Sequence, residues 1–173
     1  MSIGPWEVLW IVCGLATLIA GVMATRGRRW LYLGRIAVGV LFLVGGATFN
    51  FITLVFGEGY EEFADDAHFG WVSEAWGSVV TPNQGLFIGL LIAFEAIVGL
   101  LVLSGGRRTQ VGYVAVIAFY SALWVFGWFT TVWAALMIPF MILLLRAERH
   151  ATTQPTPAPE IEEKALADVG SQP

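Results

Sequence analysis

The stretch IAFEAIVGLL, residues 92–101, sets one carboxyl group, Glu95, in the middle of an apolar run with no Lys, Arg or Asp beside it. A carboxyl group among hydrocarbon must pair with a cation or carry a proton. The chemistry open to Glu95 is proton handling or polar-ligand binding, and the plainer alternative is a satisfied interhelical hydrogen bond. A second constellation, Glu61, Asp65 and His68, is spaced i, i+4, i+7. On a helix those side chains could converge on a cation, and carboxylate with imidazole suits Zn, Mn or Fe. No further motif closes that shell, so a solvated acidic face is expected there and no metal. The single cysteine, Cys13, lies in an apolar run. It excludes an internal disulfide or a C-x-x-C pair, and reads as a small buried hydrophobe.

The elements that must position these groups follow from composition. The 173 residues are 57% hydrophobic and 13% charged, against about 25% charged in soluble domains. Continuous apolar runs, not alternating ones, predict membrane-spanning helices rather than barrel strands. Run one covers 6–24, run two 30–56 and run three 85–103. The block from Val111 to Leu145 has roughly 35 residues and would reach about 52 Å as one helix, against a hydrocarbon core of about 30 Å. Two spans turning near Gly127 fit it better, with Pro139 a kink in the last. Eight of the nine basic residues are Arg; apart from Arg35 they follow run one, run three and Leu145. Positive charge marks the cytoplasmic side, so five spans place the N-terminus outside and the C-terminus inside. The N-terminus carries no basic region or cleavage site of a signal peptide. The fold class is therefore all-α, a polytopic helix bundle of five spans, with an acidic outer insertion at 57–84 forming an interfacial helix and a disordered tail at 150–173. Trp6, Trp10, Trp71, Trp76, Trp124, Trp128 and Trp133 fall near the outer face and read as headgroup anchors.

Glu95 lies about 15 Å from either end of its span. Tyr120 and Ser121 on the next span are level with it. Arg35 starts about 7 Å in from the inner edge and could climb toward it. Asn50 and Thr48 lie nearer the outer side of run two. Ile88, Ile92, Glu95, Gly99 and Val102 form one stripe of run three, expected to face inward. Gly85, Gly89 and Ala93 form a second stripe of small residues that permits close helix contact. Gly39, Gly45 and Gly46 are expected to serve helix packing.

Two stretches carry a family resemblance. RIAVGVLFLVGGATFNF (35–51) is similar to the opening helix of the DoxX family, with Arg, Gly four residues on, then an apolar run with Phe and further Gly. FEAIVGLLVLSGGRRTQVGYVAV (94–116) resembles its second helix and following basic turn, with Glu95, Gly99, Leu100, Leu101 and Gly105 in the family order. The resemblance implies a four-helix membrane unit over 31–149, preceded by one extra span and its basic turn at 1–30. It also implies an association with membrane oxidoreductase complexes, thiosulfate or quinone chemistry, or thiol homeostasis, with Arg35 and Glu95 as polar groups inside the bundle. Asn50 departs from the pattern, standing near where a basic residue often follows. The DoxX-like region also holds no cysteine, so no thiol mechanism carries over.

Three functions compete. A non-catalytic subunit or scaffold of a redox-linked membrane assembly rests on the lack of any nucleophile, phosphate-loop or metal motif. A component binding a quinone or small ligand would use Glu95, Arg35 and Tyr120. A proton-coupled transporter is disfavoured without an inverted repeat. The expected partners are the lipid bilayer and a basic membrane or redox protein at the acidic outer face. No nucleic acid is expected, because the arginines sit where they orient spans. The expected location is the bacterial inner membrane.

Overall fold

A computed structural model describes residues 4–57 and 59–153. It is an all-helical bundle with five helical segments long and apolar enough to cross a membrane: Pro5–Arg26, Arg28–Phe56, Gly70–Leu103, Gly106–Phe126 and Trp128–Thr153. The long apolar block divides at Gly127, where length required a turn. Its φ of 126° is closed to most side chains, and an added Cβ would lie 2.8 Å from the Asp66 carbonyl oxygen. Spans three and four turn at Gly105, with φ 85°. Buried Thr109 staples that turn: its hydroxyl accepts from the Gly105 amide at 2.8 Å and donates to the Val102 carbonyl at 2.8 Å. His150–Thr153 continue the last helix, which carries Pro139 within it; the rest of the tail expected to be disordered lies outside the described residues.

Val38, Val98, Val102, Tyr113, Val116, Met137, Met141 and Leu144 form the centre of the core. The outward faces are as apolar as the inward ones: Ile11, Val12, Leu15, Leu90, Ile97 and Leu100 are all exposed. A surface of that kind is compatible with lipid as its solvent. The first span belongs to the same bundle. A Cβ at Gly21 would lie 2.9 Å from Phe140 Cβ, and one at Gly14 3.0 Å from Met137 Cε, so these glycines set the approach of span one to span five.

Span two is not a uniform α-helix. Leu41–Thr48 is π-helical between α-helical Arg28–Val40 and Phe49–Phe56. The wider turns hold the Gly45–Gly46 pair. The Gly45 carbonyl accepts from Trp10 Nε1 at 3.2 Å and Thr48 Oγ1 donates to the Leu43 carbonyl at 2.8 Å, so side chains supply part of the local bonding.

The acidic insertion differs from one continuous interfacial helix. It forms a short 3₁₀ turn, Glu61–Ala64, and then an α-helix, Gly70–Ala75. That helix continues through Trp76–Val80 and Thr81–Asn83 into Gln84–Leu103, so span three begins well before Gly85. Pro82, which has no N–H to donate, falls within the 3₁₀ turn of that run. Ser73 Oγ donates to the Ala64 carbonyl at 2.7 Å, and the His68 amide donates to the Val125 carbonyl at 3.0 Å. These bonds tie the insertion across the acidic end of the bundle.

Candidate functional site

Glu95 faces the bundle interior and is 6% exposed. The stripe that carries it packs inward, with Ile88, Gly99 and Val102 buried and Ile92 half-buried. Gly46 of the π-helical stretch lies directly against it: a Cβ there would come 2.6 Å from Glu95 Oε1. Only a glycine leaves room for the carboxyl group at that point.

The carboxyl group's partner is Asn50, whose Nδ2 donates to Glu95 Oε2 at 2.7 Å. Tyr60, from the acidic insertion, donates in turn to Asn50 Oδ1 at 2.9 Å. Burial pushes the Tyr60 hydroxyl above the ordinary tyrosine pKa, so it keeps its proton and remains a donor. The Tyr60 carbonyl is itself held by Trp76 Nε1 at 2.7 Å. A hydrogen-bonded line therefore runs from the acidic end to mid-span through Trp76, Tyr60, Asn50 and Glu95.

Arg35 does not climb to Glu95. Its Nε and Nη2 each lie 2.6 Å from a carboxylate oxygen of Glu148, a bidentate pair at the basic end. Glu148 is 1% exposed, and removing Arg35 would strand its buried charge. Sequence reasoning missed Glu148, which stands among Arg146, Arg149 and His150 and resembles a solvated charge run. Its signal was phase: Met137, Met141, Leu144 and Glu148 share one buried face at helical spacing. Tyr60 was also missed as a polar partner, because it stands in the acidic insertion, outside the spans that carry the other polar groups.

The remaining candidates separate. Tyr120 is buried and lines the same cavity as Glu95. Ser121, one residue further round the helix, is exposed. Glu61, Asp65 and His68 do not converge, and among the described residues no group of His, Cys, Asp and Glu could hold a metal. The 3₁₀ turn and the break after it destroy the i, i+4, i+7 register, while His68 Nε2 lies 2.8 Å from Thr131 Oγ1. The small-residue stripe also fails as a contact within the chain, since a Cβ at Gly85 or Gly89 would meet nothing within 4 Å. Trp10 directs its indole N–H to the Gly45 carbonyl of span two and Trp76 to the Tyr60 carbonyl of the insertion. Cys13 is buried, as expected.

A cavity of about 250 Å³ opens beside Glu95. It is larger than the engineered apolar cavity of about 150 Å³ that accommodates benzene. All five spans and the insertion contribute to it, and more than half of its lining residues are aromatic. Phe42, Phe119 and Tyr120 form one wall, with ring centroids about 6 Å apart. Trp10 and Trp133 form another at 5.6 Å. Phe63 and Trp76, 5.0 Å apart, roof it at the acidic end, backed by Phe126. Phe129 also lines the cavity yet is 71% exposed, so the side wall there reaches the outer surface of the bundle. Glu95 is the one charged side chain among the lining residues.

No family model matches the chain, and neither the curated proteins nor the solved structures contain a match.

Proposed function

We propose that this chain is a multi-pass membrane component that binds a small lipophilic ligand in the cavity beside Glu95. The observation that carries the reading is the cavity itself: an aromatic chamber inside the bundle with a single ionisable carboxyl group in its wall. Ligand sites are concave, mostly apolar and furnished with a few placed polar groups, and this chamber has that character. Binding, rather than bond-making, is what its groups are suited to, in keeping with a non-catalytic subunit of a membrane assembly.

The resemblance of 35–51 and 94–116 to the DoxX family supports the same reading. The two stretches pack on each other: a Cβ at Gly99 would lie 2.7 Å from Leu43 and 3.2 Å from the Gly39 carbonyl oxygen. A quinone in a redox-linked assembly is the second reading, favoured by Tyr120 and Trp133, two lining residues with donors that could meet a carbonyl. Arg35 takes no part in either, being held by Glu148. The arginine-rich turns support a cytoplasmic C-terminus in a bacterial cell membrane. The exposed carboxylates Glu61, Glu62, Asp65, Asp66 and Glu74 support a basic partner at the opposite face.

The test is saturable quenching of tryptophan fluorescence in the purified protein by a short-chain benzoquinone or a neutral alkylbenzene. Leu123→Trp, which fills the cavity, should abolish it. Quenching that neither saturates nor responds to Leu123→Trp would overturn the reading.

A further inference from the structure

The polar groups around the cavity are unevenly matched. Among its lining donors, Trp10 Nε1 is directed to the Gly45 carbonyl, Trp76 Nε1 to the Tyr60 carbonyl and Thr130 Oγ1 to the Gly127 carbonyl. The Tyr60 hydroxyl is directed to Asn50, and Asn50 commits one amide hydrogen to Glu95. Tyr120 and Trp133 also line the cavity with donors, so apart from those two the wall offers a guest acceptor character: Glu95 Oε1 and the faces of aromatic rings.

The carboxyl group also lacks a counter-charge. No Lys, Arg or His lines the cavity, and the single ion pair among the described residues is Arg35 with Glu148. An acid at mid-membrane without a cation is costly unless something neutralises it. An aromatic enclosure with one carboxylate is the arrangement that recognises ammonium groups, since ring faces and carboxylate both attract positive charge in a dry site.

We infer that the cavity takes a small lipophilic organic cation, a quaternary ammonium or protonated amine bearing an apolar group, with Glu95 as its counter-charge. The inference rests on the cavity being a ligand site and names the class of ligand. When the cavity is empty, a proton on Glu95 serves instead, so a guest of fixed charge displaces that proton and one proton leaves for each cation bound. The titratable groups facing Glu95 are the phenols of Tyr60 from the insertion and Tyr120 from span four. Spans one, two and five present only Trp10, Asn50, Thr130 and Trp133, which carry no charge. Glu95 is then the group that competes between proton and guest.

The probe is benzyltrimethylammonium, whose neutral carbon isostere, neopentylbenzene, differs from it in charge alone. Binding to the purified full chain is followed by tryptophan fluorescence and calorimetry between pH 4.5 and pH 8.5. The cation should bind at least tenfold more tightly than the isostere at pH 8.5, and this preference should vanish at pH 4.5. Glu95→Gln should lose at least tenfold in cation affinity and leave the isostere unchanged. Equal affinity for the two probes at pH 8.5, or a cation affinity indifferent to Glu95→Gln, overturns the inference. Should Glu95→Gln fail to fold, the pH series on the unaltered chain decides, and a cation affinity that does not fall on acidification overturns it. Binding of the isostere or a benzoquinone without the cation removes the inference and leaves the ligand site standing. Binding of none of the three removes both.

Discussion

Arg35 and Glu148 meet through two bonds of 2.6 Å across 113 residues of sequence. The pair fastens the second span to the fifth at the basic end. It also leaves Glu95, near mid-span, without the cation that its depth alone had suggested. The bundle thus holds two buried acids in different states of compensation, one fully paired and one bonded only to an amide.

Glu148→Gln should destabilise the protein by about 1.5–3 kcal/mol, because the half-buried Arg35 guanidinium loses its bidentate charged partner. The double variant Arg35→Met with Glu148→Leu should recover most of that loss. Thermal unfolding in detergent measures both. A double variant no more stable than Glu148→Gln would contradict the pairing as the source of the cost.

Gly46→Ala puts a methyl group 2.6 Å from Glu95 Oε1 and should cost about 1–3 kcal/mol. Gly89→Ala meets nothing within 4 Å and should be neutral or mildly stabilising, since alanine is the better helix former. Comparable melting temperatures for the two variants would contradict the packing of span two on span three.

Gly127→Ala combines a disallowed φ with a close approach to the Asp66 carbonyl and should cost about 1–3 kcal/mol or more. Gly27→Ala has the φ of 149° but open space around it, so its loss should be smaller. The difference in melting temperature isolates the contact between the acidic insertion and the turn joining spans four and five.

In a Cys13→Ala background, Ser104→Cys and Ser78→Cys should react with a membrane-impermeant maleimide from opposite sides. Both serines are exposed, at the basic and acidic ends respectively. In intact cells Ser78→Cys should label and Ser104→Cys should not. The reverse pattern would invert the orientation drawn from the arginines.

The number of spans and the break at Gly127 could be read from the sequence because lipid imposes them. An apolar block of roughly 35 residues is too long for one crossing, and Gly127 stood at its midpoint. The inward face of span three was equally legible, because Ile88, Glu95, Gly99 and Val102 keep helical phase. Partner choice was not legible. Depth brought Arg35 within conceivable reach of Glu95, but Glu148 was hidden among arginines that carry no mark of the burial of their neighbour. The link from Tyr60 to Asn50 arises from a turn that folds back over the bundle, and local periodicity does not encode such a return. The wide turns of Leu41–Thr48 also reset the phase of span two, so counting from Arg35 at 3.6 residues per turn does not tell which face Asn50 occupies.

The Phe63–Trp76 roof has a thermodynamic corollary. With Phe63 and Trp76 over its acidic end and Phe129 exposed at its side, a guest that enters from the side must dissolve in the bilayer before it is captured. Apparent dissociation constants will then track the guest's partition coefficient and the lipid-to-protein ratio, and titrations in detergent and in vesicles will agree only when expressed as mole fraction in the hydrophobic phase.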